Sequence, residues 1–150
     1  MLSKTLQNLE SALAGESMAH IKYRYFAKLA RQEGYEDIAK HFEHTADQEI
    51  KHAWGHLELL VGTPTTKECL ELAIKGETYE FTEMYPKFEQ EAASEGDEAA
   101  RLEARLQAQE SKEHAQEFQE LLDKALARFA ALAKVEKRHA DAYKQKLESL

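Results

Sequence analysis

The chain has 150 residues, 43% hydrophobic and 32% charged, a balance expected of one globular domain with its own core. Its net charge is −8 with Lys and Arg spread along the chain, which argues against a nucleic-acid or anionic-membrane surface. No apolar run is long enough to cross a membrane, the N-terminus lacks the order of a secretory signal, and the lone Cys69 excludes an internal disulfide, so a cytoplasmic protein is expected.

Glycine and proline are scarce, six and two, and the intervals between them are rich in Ala, Leu, Glu, Lys and Gln. No β-branched alternation suggests strands, so the expected class is all-α. A first helix is predicted from about Ser3 to Glu33, stopped by Gly34, and a second from Tyr35 to about Val61, stopped by "GTP". A third is predicted from Thr65 or Thr66 to about Ser94, stopped by "SEGD". From Asp97 onward there is no glycine or proline, which predicts one very long helix or two with a bend near Asp123. The chain also repeats itself. "AGES" with Glu16 and "KGET" with Glu77 each precede an aromatic-rich helix and an "EG" turn. Two such hairpins, 1–61 and 65–150, facing each other make a four-helix bundle within one domain.

Glu49 and His52 are three residues apart, as are Glu136 and His139, and residues three apart on a helix share a face. Mixed carboxylate and imidazole donors suit iron, manganese or zinc. One Glu-x-x-His pair in a charged helix is ordinarily a solvated surface pair. Here the neighbourhoods match: Phe42 stands seven residues before Glu49, and Phe129 seven before Glu136. Glu16 and Glu77 add one carboxylate on each of the other two helices. Each follows a glycine, Gly15 or Gly76, that costs helix stability and leaves room for a neighbouring helix to approach. One Glu from each of two helices plus Glu-x-x-His from the other two is the di-metal pattern of ferritin-like bundles.

These residues carry a resemblance. "AGESMAHIKYRYFAKLARQEGYEDIAKHFEHTADQEIKHA" resembles the first half of rubrerythrin, "GETYEFTEMYPKF" its third helix and "FAALAKVEKRHADAY" its fourth. The resemblance implies a ferritin-like fold with two iron ions per site, reducing hydrogen peroxide to water. It implies Glu16, Glu49, His52, Glu77, Glu136 and His139 as ligands, with Glu49 and Glu136 bridging. Glu80 is implied as a seventh ligand, used when the irons are oxidised, and Ala19 holds the equivalent step on the first helix. Tyr23 and Tyr85 match tyrosines that hydrogen-bond to ligand carboxylates; ordinary core packing is the alternative for both. The four-cysteine rubredoxin domain of that family has no counterpart here, so electrons are expected from an external donor such as a rubredoxin-like protein. With the same ligands, manganese or zinc is compatible. So are a ferroxidase or iron-handling role, an oxygen-activating oxidase, and a non-catalytic metal-binding module.

The fourth helix is represented twice. The steps that lead from Gly34 to Glu49 and His52, taken again from Gly96, reach Ser111 and His114. That segment aligns with the C-terminal one at a constant offset, pairing Ala108 with Ala133, His114 with His139 and Phe118 with Tyr143. The C-terminal version is favoured because it keeps Phe129, Glu136, His139 and the apolar run "ALARFAALA". Residues 97–122 then read as an inserted spacer helix. The rival is that His114, with Glu110 or Glu113, fills the local site. On a continuous helix Glu136 lies about 37 Å beyond Ser111, too far to reach Glu77 in the same hairpin. A homodimer is therefore expected, with the C-terminal helix inserted into a partner chain. His20, His41, His44 and His56 read as surface or supporting residues, and Trp54 as packing.

Overall fold

A computed structural model describes residues 3–149, and every element in it is helical. The elements are α1 (Lys4–Gln32), α2 (Glu36–Val61), α3 (Thr66–Tyr79), a π-helical turn (Glu80–Met84), α4 (Tyr85–Glu95) and α5 (Glu98–Glu148). The starts follow from the caps. Ser3 Oγ accepts from the Leu6 amide, Thr65 and Glu68 form a reciprocal capping box, and Asp97 accepts from the Ala100 amide. The "EG" stops work because Gly34 and Gly96 sit at φ 89° and 74°, where a side chain would be strained.

The chain divides into two compact units, Met1–Pro64 and Thr65–Leu150. In the first, α1 and α2 form a hairpin closed along a seam of small residues. Ala39, Ala46 and Ala53 recur every seven residues along α2 at 0–2% exposure, and Ala27 and Ala30 face them from α1. Side chains this small let the helix backbones come close. Tyr23, Phe26 and Phe42 cluster beside the seam, with ring centroids 5.6–6.3 Å apart. Polar links tie the same two helices. The His20 Nδ1–H donates to the Ala46 carbonyl at 2.8 Å, Arg31 bridges Glu36 and Glu43, and Arg24 pairs with Asp47.

In the second unit, α3, the π turn and α4 run along α5 in the opposite direction. Arg101 meets Glu89, Ser111 meets Glu80, and His114 meets Glu77, so the numbers fall on one side as they rise on the other. α5 buries Ala104, Ser111, Ala115 and Leu122, at steps of seven, four and seven. The π turn stands directly before Pro86, which has no N–H to give Thr82 and would crowd its carbonyl in a regular α-turn. Proline thus marks a widened turn inside a continuous helix. The bend near Asp123, one of the two alternatives for the tail, is not present, because α5 is continuous over 51 residues. At about 1.5 Å per residue it is about 75 Å long, against about 45 Å for residues 66–95. Its last stretch therefore runs past the start of α3.

Candidate metal centre

Unit 1 carries one half of the expected donor set. Glu16 on α1 and Glu49 and His52 on α2 offer ligand atoms that all lie within 4.8 Å of one another. His52 Nδ1 is 3.2 Å from a Glu49 oxygen and 3.9 Å from a Glu16 oxygen. The carboxyl of Glu16 is held above its ordinary range, first by a hydrogen bond with Glu49, then by burial and the Glu49 charge. His52 and His56 oppose the shift. Two carboxylates this close repel each other, and a cation bound between them would relieve that repulsion.

Unit 2 carries a second half. Glu77 lies in the last turn of α3 and Glu80 opens the π turn three residues later. One carboxylate oxygen of Glu77 is buried without a hydrogen-bond partner, and His114 Nδ1 lies 3.5 Å from it. A buried carboxylate oxygen left unpaired is costly in a native fold, and a cation is one way to satisfy it. Ser111, 4% exposed, donates its hydroxyl to Glu80 at 2.9 Å. Tyr85 stands in the same surroundings. Its phenol is pushed up by burial and then by the negative charges of Glu80 and Glu77. The donors in both halves are carboxylates and imidazoles in pairs, which fits a divalent cation of the iron, manganese or zinc type.

Of the residues expected from sequence, Glu16, Glu49 and His52 are brought together, and so are Glu77, Glu80 and Tyr85. Tyr23, seven residues after Glu16 on α1, packs on Phe26 and Phe42. Glu136 and His139 are exposed, about seven helical turns beyond Ser111 and His114, and unit 2 does not bring them to Glu77. The stretch 97–122, expected as a spacer, is the part of α5 that packs on α3 and α4. Its small buried residues sit on the face toward them, while Glu110 and Glu113 are exposed. Within each hairpin, a Cβ added at Gly15 or Gly76 would meet nothing within 4 Å. Two features are missing from the sequence reading. The π turn has a signal in Pro86, six residues after Glu80, and the Ser111 hydroxyl has one in its place at the family's ligand position.

The Rubrerythrin family model matches residues 7–122. The chain belongs to the rubrerythrin family. Membership makes its class ferritin-like, with four helices in two hairpins and α5 extended beyond the matched residues. Nigerythrin of Nitratidesulfovibrio vulgaris is 40% identical over 113 residues, 66% of this chain and 56% of the relative. Rubrerythrin of Porphyromonas gingivalis is 42% identical over 107 residues, 63% of this chain and 54% of the relative. A putative rubrerythrin of Methanocaldococcus jannaschii is 36% identical over 143 residues, 81% and 70% of the two chains. The matches to the first two span only about half the length of those relatives. A solved structure of fully reduced, all-ferrous nigerythrin aligns with 85% of this chain and 70% of its own, at 33% identity and a TM-score of 0.42.

Proposed function

We propose that this rubrerythrin-family chain holds a pair of iron ions and reduces hydrogen peroxide to water, taking electrons from an external donor such as a rubredoxin-like protein. The observation that carries the reading is the Glu16, Glu49 and His52 cluster, whose ligand atoms all lie within 4.8 Å of one another. The unpartnered Glu77 oxygen beside His114 supports it independently. Bound ferrous ions would supply the two electrons that turn hydrogen peroxide and two protons into two waters. The residues of the chain do the rest. In unit 1, Glu16, Glu49 and His52 would hold metal, and in unit 2 Glu77 and His114 would do so. Glu80, held by the Ser111 hydroxyl, would be a further carboxylate donor, and Tyr85 and Tyr23 would support the ligand carboxylates. Manganese or zinc would fit the same donors. A single cysteine and a carboxylate and imidazole site suit a cytoplasmic setting.

The test is stopped-flow mixing of anaerobic, ferrous-loaded protein with hydrogen peroxide and, separately, with oxygen. Oxidation much faster with peroxide is expected, together with Glu80→Ala keeping its metal but turning over more slowly. Faster reaction with oxygen would replace this reading by a ferroxidase or oxidase. Failure to take up metal would leave a non-catalytic helical module.

A further inference from the structure

Ser111 is the one buried polar side chain among the described residues, on a stripe of α5 otherwise made of Ala104, Ala115 and Leu122. A serine hydroxyl buried on a helix ordinarily bonds back to a carbonyl of its own preceding turn. This one reaches across the hairpin instead and donates to Glu80 at 2.9 Å. An alanine would fill the same place with no polar group to satisfy, so packing does not account for the hydroxyl. Its partner does.

Glu80 is the first residue of the π turn, and its carbonyl accepts from the Tyr85 amide, five residues on. In a regular α-helix, side chains five apart point about 140° away from each other. The widened turn narrows that angle and brings Tyr85 round towards Glu80. Burial raises the Tyr85 phenol first, and the charges of Glu80 and Glu77 raise it next. Across from them, Ser111 and His114 are three residues apart on α5 and share a face. Two pairs therefore meet in one register, Glu80 with Ser111 and Glu77 with His114. The second pair holds two metal donors and the buried Glu77 oxygen that lacks a partner. The first holds one donor and a neutral hydroxyl that fixes it.

We infer that Ser111 is a positioning residue of the unit 2 donor set, whose hydroxyl keeps the Glu80 carboxylate ready as the third donor, beside Glu77 and His114, for one divalent cation. The inference rests on the proposed metal centre. A glutamate side chain turns about three bonds, and fixing it on a metal costs rotamer freedom. A hydrogen bond formed before the metal arrives lowers that cost. The bond does not use the carboxylate up, because two oxygens offer about four lone pairs and the hydroxyl takes one. Ser111 can hold Glu80 because it is itself held, at 4% exposure within a 51-residue helix. Partners that orient metal ligands in this way contribute about ten- to a hundredfold in affinity. A hydroxyl that competed with the cation would have the opposite sign, and its removal would tighten binding.

The experiment is anaerobic titration of the full chain with Co(II), followed by calorimetry and by visible absorption, which reports the ligands around the ion. The parental chain is expected to take two equivalents. Ser111→Ala should leave one unchanged and weaken the other by about tenfold or more, with its far-UV circular dichroism unaltered. Glu80→Ala should weaken the same equivalent yet still fill at saturating Co(II). The variant that carries both changes decides the role. If Ser111 acts through Glu80, adding Ser111→Ala to Glu80→Ala costs no further affinity and leaves the Co(II) spectrum as it was. A further loss would make the hydroxyl a packing group and overturn the inference. Binding by Ser111→Ala at the parental affinity, or tighter, would overturn it too. If the parental chain takes up no Co(II), or if Glu49→Ala and Glu77→Gln both bind two equivalents as it does, the proposed metal centre itself falls.

Discussion

Glu49→Ala separates two effects of opposite sign. In the metal-free protein Glu49 shares a hydrogen bond with Glu16 and places like charge beside it, the arrangement that holds the Glu16 carboxyl above its ordinary range. Removing Glu49 relieves that repulsion, so the metal-free variant should melt at or slightly above the parental temperature. With metal the sign reverses. A cation that binds only the folded chain, at a hundredfold excess over its Kd, stabilises it by about 2.7 kcal/mol. Losing the donor 3.2 Å from His52 and hydrogen-bonded to Glu16 dismantles the three-residue cluster. A hundredfold weaker Kd would leave about 0.4 kcal/mol of the effect. The missing portion, about 2.3 kcal/mol, corresponds to about 5–9 °C in Tm for a chain of this size. Calorimetric melts under anaerobic conditions, with and without Fe(II), measure both signs in one series. A variant whose metal-induced rise in Tm equals the parental rise would refute the assignment. An equal drop with and without metal would instead make Glu49 a packing residue.

Four further outcomes are expected. Ala46→Leu, at a position with 0% exposure, overfills the α1–α2 seam and should cost about 1–3 kcal/mol in urea unfolding. Gly76→Ala meets open space inside a helix and should stabilise by about 1 kcal/mol; a lower Tm would mean that another helix closes on this site. Glu43 is held below the ordinary carboxylate range chiefly by its hydrogen bond to Arg31, so this stabilisation exists above the unfolded carboxylate pKa and vanishes as pH falls through the folded one. Arg31→Ala should therefore lower Tm near neutrality and lose its effect in acid, as melts across that range would record. Ser111→Glu sets a second carboxylate against Glu80 in a buried position, costing about 1–3 kcal/mol without metal. Its Tm should rise more steeply with added metal than the parental Tm.

The helices are legible in the sequence because their boundaries are local chemistry. Ser3, Thr65 and Asp97 cap, Gly34 and Gly96 stop, and nothing between Asp97 and Leu150 interrupts. The donors on the first hairpin are legible for the same reason, since the step from Glu49 to His52 is one helical turn and helix geometry carries it to Glu16. Which part of α5 faces Glu77 is not. The choice between Ser111 with His114 and Glu136 with His139 is a choice of register, and two stretches about seven turns apart have the same periodicity. Residue type favours the distal stretch, with its apolar run and intact Glu-x-x-His. Register is set by the Gly96 turn, which starts α5 opposite the end of α4 and lets Ala104, Ala115 and Leu122 close first. The third helix is predicted to run unbroken through Pro86, and periodicity does not show that it widens by one residue at Glu80–Met84 before continuing.

On the proposed centre, a hydroxyl and a carboxylate at position 111 answer different charge requirements. The Ser111 hydroxyl donates to Glu80 at 2.9 Å and adds no charge. A carboxylate there would set a second negative charge beside Glu80 in a position only 4% exposed, which is costly without a cation and is offset when one is bound.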